Sequence, residues 1–347
     1  MTDRAGSAIM PGSEMLGKAT SGKEMPEKPT VEKPASPALY SHAFLSEYGR
    51  IESRRARFFD SHFSVLFIHI RALEGSRERG GSASALANAV RASLRPCDVA
   101  GLAGEGQIAV IMPETDFFGA FSASKKLSRT FESFKDIGAA NISITQAAFP
   151  ADGADFDAVL SSAVRRDEER RNSLWERLGL KDKLFWEITD ELFSSVYDGA
   201  IDASMDTGPG NDLSEFFIDQ VNDCILREIK RTPRKNAVLY MTLKKVHGDH
   251  PVVRALNSSA PLAARIVLAG ERDPDVGYIK NAASVYIDDE RLMDTVFTFF
   301  LSEDSAYALI CKENWGGAFS CFHTSDACLV DGLISKFQRE YALQELF

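Results

Sequence analysis

Between Leu39 and Arg171 the apolar residues fall into an order that few architectures satisfy: helix, strand, helix, hairpin, helix, strand, helix. Phe44, Leu45, Tyr48 and Ile51 recur at helical spacing, followed by Arg50, Arg54, Arg55 and Arg57 in a basic stretch. Phe63 to Ile70 reads as a buried strand, and Leu86, Val90 and Leu94 share one helical face. Val99–Ala103 and Gln107–Met112 are two short strands joined through Gly104-Glu105-Gly106, which reads as a tight hairpin. Thr115 is placed to cap a helix bearing Phe117, Phe118, Phe121, Leu127, Phe131 and Phe134. Ile142, Ile144 and Ala148 mark a further strand, stopped by Pro150 and the turn Ala151-Asp152-Gly153, before a charged helix from Asp155 to Arg171. Such an order predicts an α/β sandwich around a central, mostly antiparallel sheet.

The flanks differ in character. Residues 1–36 are rich in Gly, Ser, Pro, Lys and Glu without apolar period, and read as a disordered tail, an inert leader in preference to a partner-binding arm. Residues 173–211 read as a helical linker with Leu184, Phe185, Ile188 and Leu192, broken at Gly208-Pro209-Gly210. A second α/β domain is expected over 212–347. Asp212 and Glu215 suggest a capping box, and the first helix carries Leu213, Phe216, Phe217, Val221, Cys224, Ile225 and Ile229. Strand signals follow at Ala237–Leu243, Ala264–Ala269, Ala283–Ile287, Ala306–Cys311 and Ala318–Phe322, before a last helix with Leu329, Leu333, Ile334, Phe337 and Tyr341.

Charge narrows the function classes. Forty Lys and Arg against 50 Asp and Glu leave a net charge of −10, which argues against non-specific binding to nucleic acid or to anionic lipid. Apolar runs such as Val296 to Leu301 are of strand length only, far short of the ~20 residues that span a bilayer. The N-terminus has no apolar signal core, so a cytosolic, membrane-free protein is expected. The five cysteines, Cys97, Cys224, Cys311, Cys321 and Cys328, are scattered, and a disulfide framework is not expected. Cys311, Cys321, His323 and Cys328 do not match the spacing of structural zinc sites, and ordinary buried thiols are the preferred reading.

Residues 39–172 resemble the GGDEF family, whose active members are diguanylate cyclases. The segment Leu39-Tyr40-Ser41-His42-Ala43-Phe44-Leu45 and the Arg-rich helix after it look like the family's leading helix. Phe63 to Ile68 looks like its first core strand. Arg95-Pro96-Cys97-Asp98, five residues, then Gly104-Glu105-Gly106-Gln107-Ile108 stand where the family has RxxD, five residues, GGDEF. Ala109 to Thr115, and Ile142-Ser143-Ile144 through Phe149-Pro150-Ala151-Asp152-Gly153, continue as the family does.

The resemblance implies a cyclase site in which acidic side chains hold Mg²⁺ on GTP phosphates. Here the metal carboxylate at the end of the first strand becomes His69, and Arg71 stands at a further usual Asp. Imidazole is a poor substitute for a hard oxygen ligand. The family's guanine-recognising Asn falls near Arg77, in a segment about three residues shorter than usual, and the signature's acidic pair becomes Gly106 and Gln107. Glu105 is one position off, and on a hairpin that offset points it the other way. A catalytically dead site without Mg²⁺ or another cofactor is therefore expected.

The RxxD element is intact. The resemblance implies cyclic di-GMP held by Arg95, which offers a planar fork to guanine, and by Asp98, which accepts from its N–H edge. The alternative is that Arg95-Pro96-Cys97-Asp98 merely turns helix into strand. Arg165, Arg166, Arg170 and Arg171 lie near the family's phosphate-contacting bases, but their alternation with Asp167, Glu168 and Glu169 reads as a solvated helix face. His247-Gly248-Asp249-His250 reads as a surface turn rather than a metal loop. Ser305–Cys311 and Phe322-His323-Thr324-Ser325 are faintly similar to phospholipase-D-like sensor domains, although that family's HxKxxxxD motif is absent. These readings imply a non-catalytic signalling regulator that binds cyclic di-GMP or a protein partner, with a sensor or interaction module after it. The alternatives are a residual cyclase and a scaffold that binds no nucleotide. Active family members work as pairs, so a homodimer is compatible with the resemblance.

Overall fold

The computed structural model describes residues 39–71, 79–132, 142–197, 214–314 and 318–343. The tail 1–36, Arg77, Phe134 and Asp212 lie outside the described residues. The first half runs α1 (His42–Phe58), β1 (Phe63–Ile70), α2 (Arg79–Ser93), β2 (Val99–Gly104), β3 (Gln107–Pro113), α3 (Phe117–Glu132), β4 (Ile142–Phe149) and α4 (Phe156–Asn172). Its strands form one antiparallel sheet in the order β2-β3-β1-β4. That is the split arrangement of a strand–helix–strand–strand–helix–strand chain.

β1 is central and buried at every position because helices cover both faces. Its alternation divides the core. Leu66, Ile68 and Ile70 join Leu86, Val90, Leu127 and Phe131 from α2 and α3. Phe63, Val65 and Phe67 join Leu45, Ala56, Phe156 and Val159 from α1 and α4. His69 continues this second series and so faces α4. Ser41 caps α1 and Asp155 caps α4. Asp116 rather than Thr115 caps α3, accepting from Gly119 N at 2.7 Å, because the Thr115 hydroxyl is taken by Arg95. Tyr40 adds a one-residue bridge to the outer edge of β2, donating to Ala100 O and accepting from Leu102 N, both at 2.9 Å.

The second half contains α5 (Leu174–Arg177), α6 (Phe185–Tyr197), α7 (Glu215–Arg231), β5 (Ala237–Val246), α8 (Pro251–Asn257), β6 (Arg265–Arg272), β7 (Ala283–Tyr286), α9 (Arg291–Asp294), β8 (Thr295–Ser302), β9 (Ala306–Glu313), β10 (Phe319–Thr324) and α10 (Ala327–Glu340). Its six strands are ordered β10-β9-β8-β5-β6-β7, with β5, β6 and β7 parallel and the remaining pairs antiparallel. β8, visible in the sequence only as an apolar run, lies between β9 and β5 and is antiparallel to both, so pairing changes from antiparallel to parallel at β5. Residues 174–197, within the expected linker, pack on one face of this sheet through Trp175, Leu180, Phe185, Ile188 and Leu192, together with α10. α7 and α8 cover the other face.

Two close approaches use glycine. A side chain at Gly49 would meet the Phe156 ring where α1 crosses α4, and one at Gly332 would lie 2.2 Å from the Trp175 ring. Gly332→Ala is therefore expected to lower stability by about 1–3 kcal/mol through overpacking. Urea denaturation measures this, and an unchanged midpoint would mean that the indole has room to move.

The cysteines depart from expectation. Cys311 and Cys321 are register partners on β9 and β10, buried and joined by a disulfide, whereas Cys97 and Cys224 are exposed. Hairpin register brings the first two together, and a spacing of ten residues carries no such signal.

Candidate functional site

Gln107, His69 and Ser143 form a row across β3, β1 and β4, each the register partner of its neighbour. All three lie on the face that α4 covers, and the helix lays Asp167 over the row. Asp167 is 1% exposed. Its Oδ2 accepts from His69 Nδ1 and from Arg171 Nη2, both at 2.8 Å. Its Oδ1 accepts from the Ser143 hydroxyl and lies 3.6 Å from Arg71 Nη2. With a carboxylate as acceptor, His69 carries its proton on Nδ1. Burial pushes the Asp167 carboxyl up, but hydrogen bonds from Ser143, His69 and Arg171 outweigh it and hold the group at about 2. A carboxylate buried in this way keeps its charge because four neighbouring groups replace its water.

The row ends at a hairpin whose signature positions carry Gly106 and Gln107. Gly106 turns the chain with φ +67° and accepts from Ile70 N at 2.8 Å. A Cβ at Gly106 would lie 2.8 Å from the Ile70 carbonyl oxygen. The position where the resemblance expects an acidic residue is thus shaped for glycine. Glu105 is exposed at the turn, and Ile108 is buried in the opposite core, under α2 and α3. Gly104 lies against the tip of the Gln107 side chain, whose Oε1 would stand 2.6 Å from a Cβ at that position.

Arg95 and Asp98 face each other. Asp98 Oδ2 accepts from Arg95 N at 2.8 Å, and Oδ1 accepts from Arg95 Nη2 at 2.8 Å. Asp98 N in turn donates to Arg95 O at 3.0 Å, closing the turn between α2 and β2. Arg95 also donates to Pro113 O and to the Thr115 hydroxyl. Its side chain is 47% exposed, whereas that of Asp98 is 1% exposed. The carboxylate is spent inside the turn.

The arginines of α4 are not one solvated face. Arg165 pairs with Glu169 in the open, as expected. Arg166 instead pairs with Asp152 and donates to Gln146 O at 2.6 Å, its guanidinium 5.4 Å from the Phe117 ring centre. Arg170 reaches Ile144 O at 3.4 Å, and Arg171 serves Asp167. Asp167 itself was hidden in the sequence by its charged neighbours. The available signal was position, since Phe156, Val159, Ala163 and Asp167 form one buried helical stripe. In the second half, His250 caps α8 through Nδ1, and His323 lies on β10 beside Tyr307. Among the described residues no three His, Cys, Asp or Glu side chains converge so as to hold a metal ion, and no helix is long and apolar enough to cross a membrane.

No family model matches the chain, and no curated protein matches it. Among solved structures it is similar to the GGDEF domain of FimX from Pseudomonas aeruginosa, at 16% identity, covering 39% of this chain and 91% of that one with a TM-score of 0.34. It is similar to the active GGEEF domain of a diguanylate cyclase from Vibrio cholerae, at 16% identity, 39% and 92% coverage and a TM-score of 0.33. The coiled coil and GGDEF domain of DgcB from Caulobacter crescentus, in complex with c-di-GMP, is similar at 12% identity, 39% and 77% coverage and a TM-score of 0.30. All three are GGDEF-type domains.

Proposed function

We propose that this chain is a non-catalytic protein of cyclic di-GMP signalling, its first half acting as an interaction module rather than as a cyclase. The buried Asp167 cluster carries the reading. Condensation of two GTP into a cyclic dinucleotide needs carboxylates that hold Mg²⁺ and cations left free for phosphate. His69, Gly106 and Gln107 supply no carboxylate at the positions where the resemblance expects them. The acidic group buried over the row, Asp167, is committed to His69, Ser143, Arg71 and Arg171. Arg171 thereby spends on an internal anion the charge that a phosphate would need. These residues do not fit a magnesium–triphosphate site.

The closed Arg95–Asp98 turn favours a protein partner over a nucleotide, because capture of guanine by Asp98 would first break its bonds within the turn. The second half is read as the sensor or interaction module that works with the first. Incubation of the full chain with GTP and Mg²⁺ or Mn²⁺ is expected to give no cyclic product, and titration calorimetry with cyclic di-GMP no heat. Turnover would overturn the non-catalytic reading. Heat that disappears in Arg95→Ala would restore the receptor role of the Arg95–Asp98 turn.

A further inference from the structure

Helix α1 buries one face on the sheet and presents another apolar line to solvent. Phe44, Ile51 and Phe58 are 44%, 53% and 82% exposed. They are seven residues apart, so they stack along one side of the helix over about 21 Å. A seven-residue repeat is the spacing by which one helix meets another along a seam. Phe44 is stiffened by stacking between Tyr40 and Tyr48, and Phe59 packs edge-on against Phe58. Arg55 falls on the same side but is drawn away by Glu52 and Glu114, at 2.6 and 2.5 Å.

The line is symmetric about Ile51, and so is its charge. In an antiparallel pair of α1 helices related by a two-fold axis at Ile51, Phe44 of one copy meets Phe58 of the other. Glu47, four residues before Ile51, then lies beside Arg54 of the partner copy, three residues after it. The Arg54 guanidinium also comes over Tyr48 of the opposite copy. A parallel pairing would instead place Glu47 beside Glu47 and Arg54 beside Arg54, which repel. Among the described residues Glu47 forms a loose pair with Arg50, at 3.9 Å with both side chains exposed.

We propose that α1 is a homodimer interface in which two copies of this chain pack antiparallel through Phe44, Ile51 and Phe58, with Glu47 and Arg54 exchanged across the axis. It is isologous, each copy offering the same patch. A single-helix seam of this length falls in the small class of specific interfaces, which fits a transient dimer.

Sedimentation velocity of the full chain over a concentration series tests this. A reversible dimer is expected, weakened tenfold or more in Ile51→Glu with an unchanged circular dichroism spectrum. Glu47→Arg and Arg54→Glu are each expected to weaken it, and the double reversal to restore it. In a Cys97→Ser/Cys224→Ser background, oxidation should cross-link Ile51→Cys to itself, since the two copies meet there. Phe44→Cys should not cross-link, since its copies lie at opposite ends of the seam. A monomer at every concentration, a dimer indifferent to Ile51→Glu, or self-cross-linking through Phe44→Cys would each overturn the proposal.

Discussion

Asp167→Ala is expected to lower the free energy of unfolding by about 3–5 kcal/mol, the loss that follows when one partner is removed from a buried ion pair. His69, Ser143, Arg71 and Arg171 all approach this carboxylate, and its removal takes the acceptor from the buried Ser143 hydroxyl and His69 Nδ1. Urea denaturation at neutral pH reads the loss. The pH dependence identifies its origin. Because the Asp167 pKa is depressed to about 2 from the ordinary 3.8, its contribution is complete above the unfolded value. It fades as pH falls from about 4 through about 2. The gap between wild type and Asp167→Ala should therefore narrow over that window. A gap that stayed constant into acid would show that the carboxylate is not what the cluster depends on. His69→Asp, which supplies the acidic residue that the GGDEF resemblance expects there, would set a second carboxylate beside Asp167. The like charges make it a destabilising change rather than a repair.

Phe185→Ala is expected to remove about 3–5 kcal/mol, for a different reason. Phe185 is fully buried and meets Phe297, Phe299 and Phe337 edge-on at 5.3, 6.3 and 5.4 Å between ring centres. It pins α6 to the second sheet and to α10 at once. The cluster to which it belongs also includes Phe117, Phe118 and Phe121 of α3 and Trp175 of α5. Calorimetry should accordingly show one cooperative transition, moved to lower temperature in the variant. A loss below about 1 kcal/mol would mean that α6 lies on the sheet without being held there by this ring.

The order of elements in the first half was legible because apolar residues at helical spacing give way to short strand-length apolar runs, most clearly at Phe63 to Ile70. The tight turn at Gly104 to Gln107 was legible for a similar reason, since small residues between two apolar runs leave few conformations. Asp167 was not legible, because a carboxylate among Arg165, Arg166, Glu168 and Glu169 has the local pattern of a solvated surface. Only the sheet beneath α4, assembled from β1, β3 and β4, gives that one position a buried environment. The Cys311–Cys321 pair was hidden in the same way, its partners set by register across a hairpin. For Arg95 and Asp98 the sequence left two readings open, ligand capture and a local turn. The folded chain shows Asp98 accepting from Arg95 within the turn, a contact that a motif does not encode.

Both outer margins of the first sheet have backbone groups already engaged. Along β2, Tyr40 satisfies the backbone groups at Ala100 and Leu102. Along β4, guanidinium groups of Arg166 and Arg170 occupy the carbonyls of Gln146 and Ile144. An incoming peptide would find those main-chain sites already taken, so lengthening the sheet by strand addition is disfavoured, and with it edge-to-edge aggregation. Association through this half is left to side chains on the helices, where affinity can be tuned by surface substitution without disturbing the hydrogen-bonded frame.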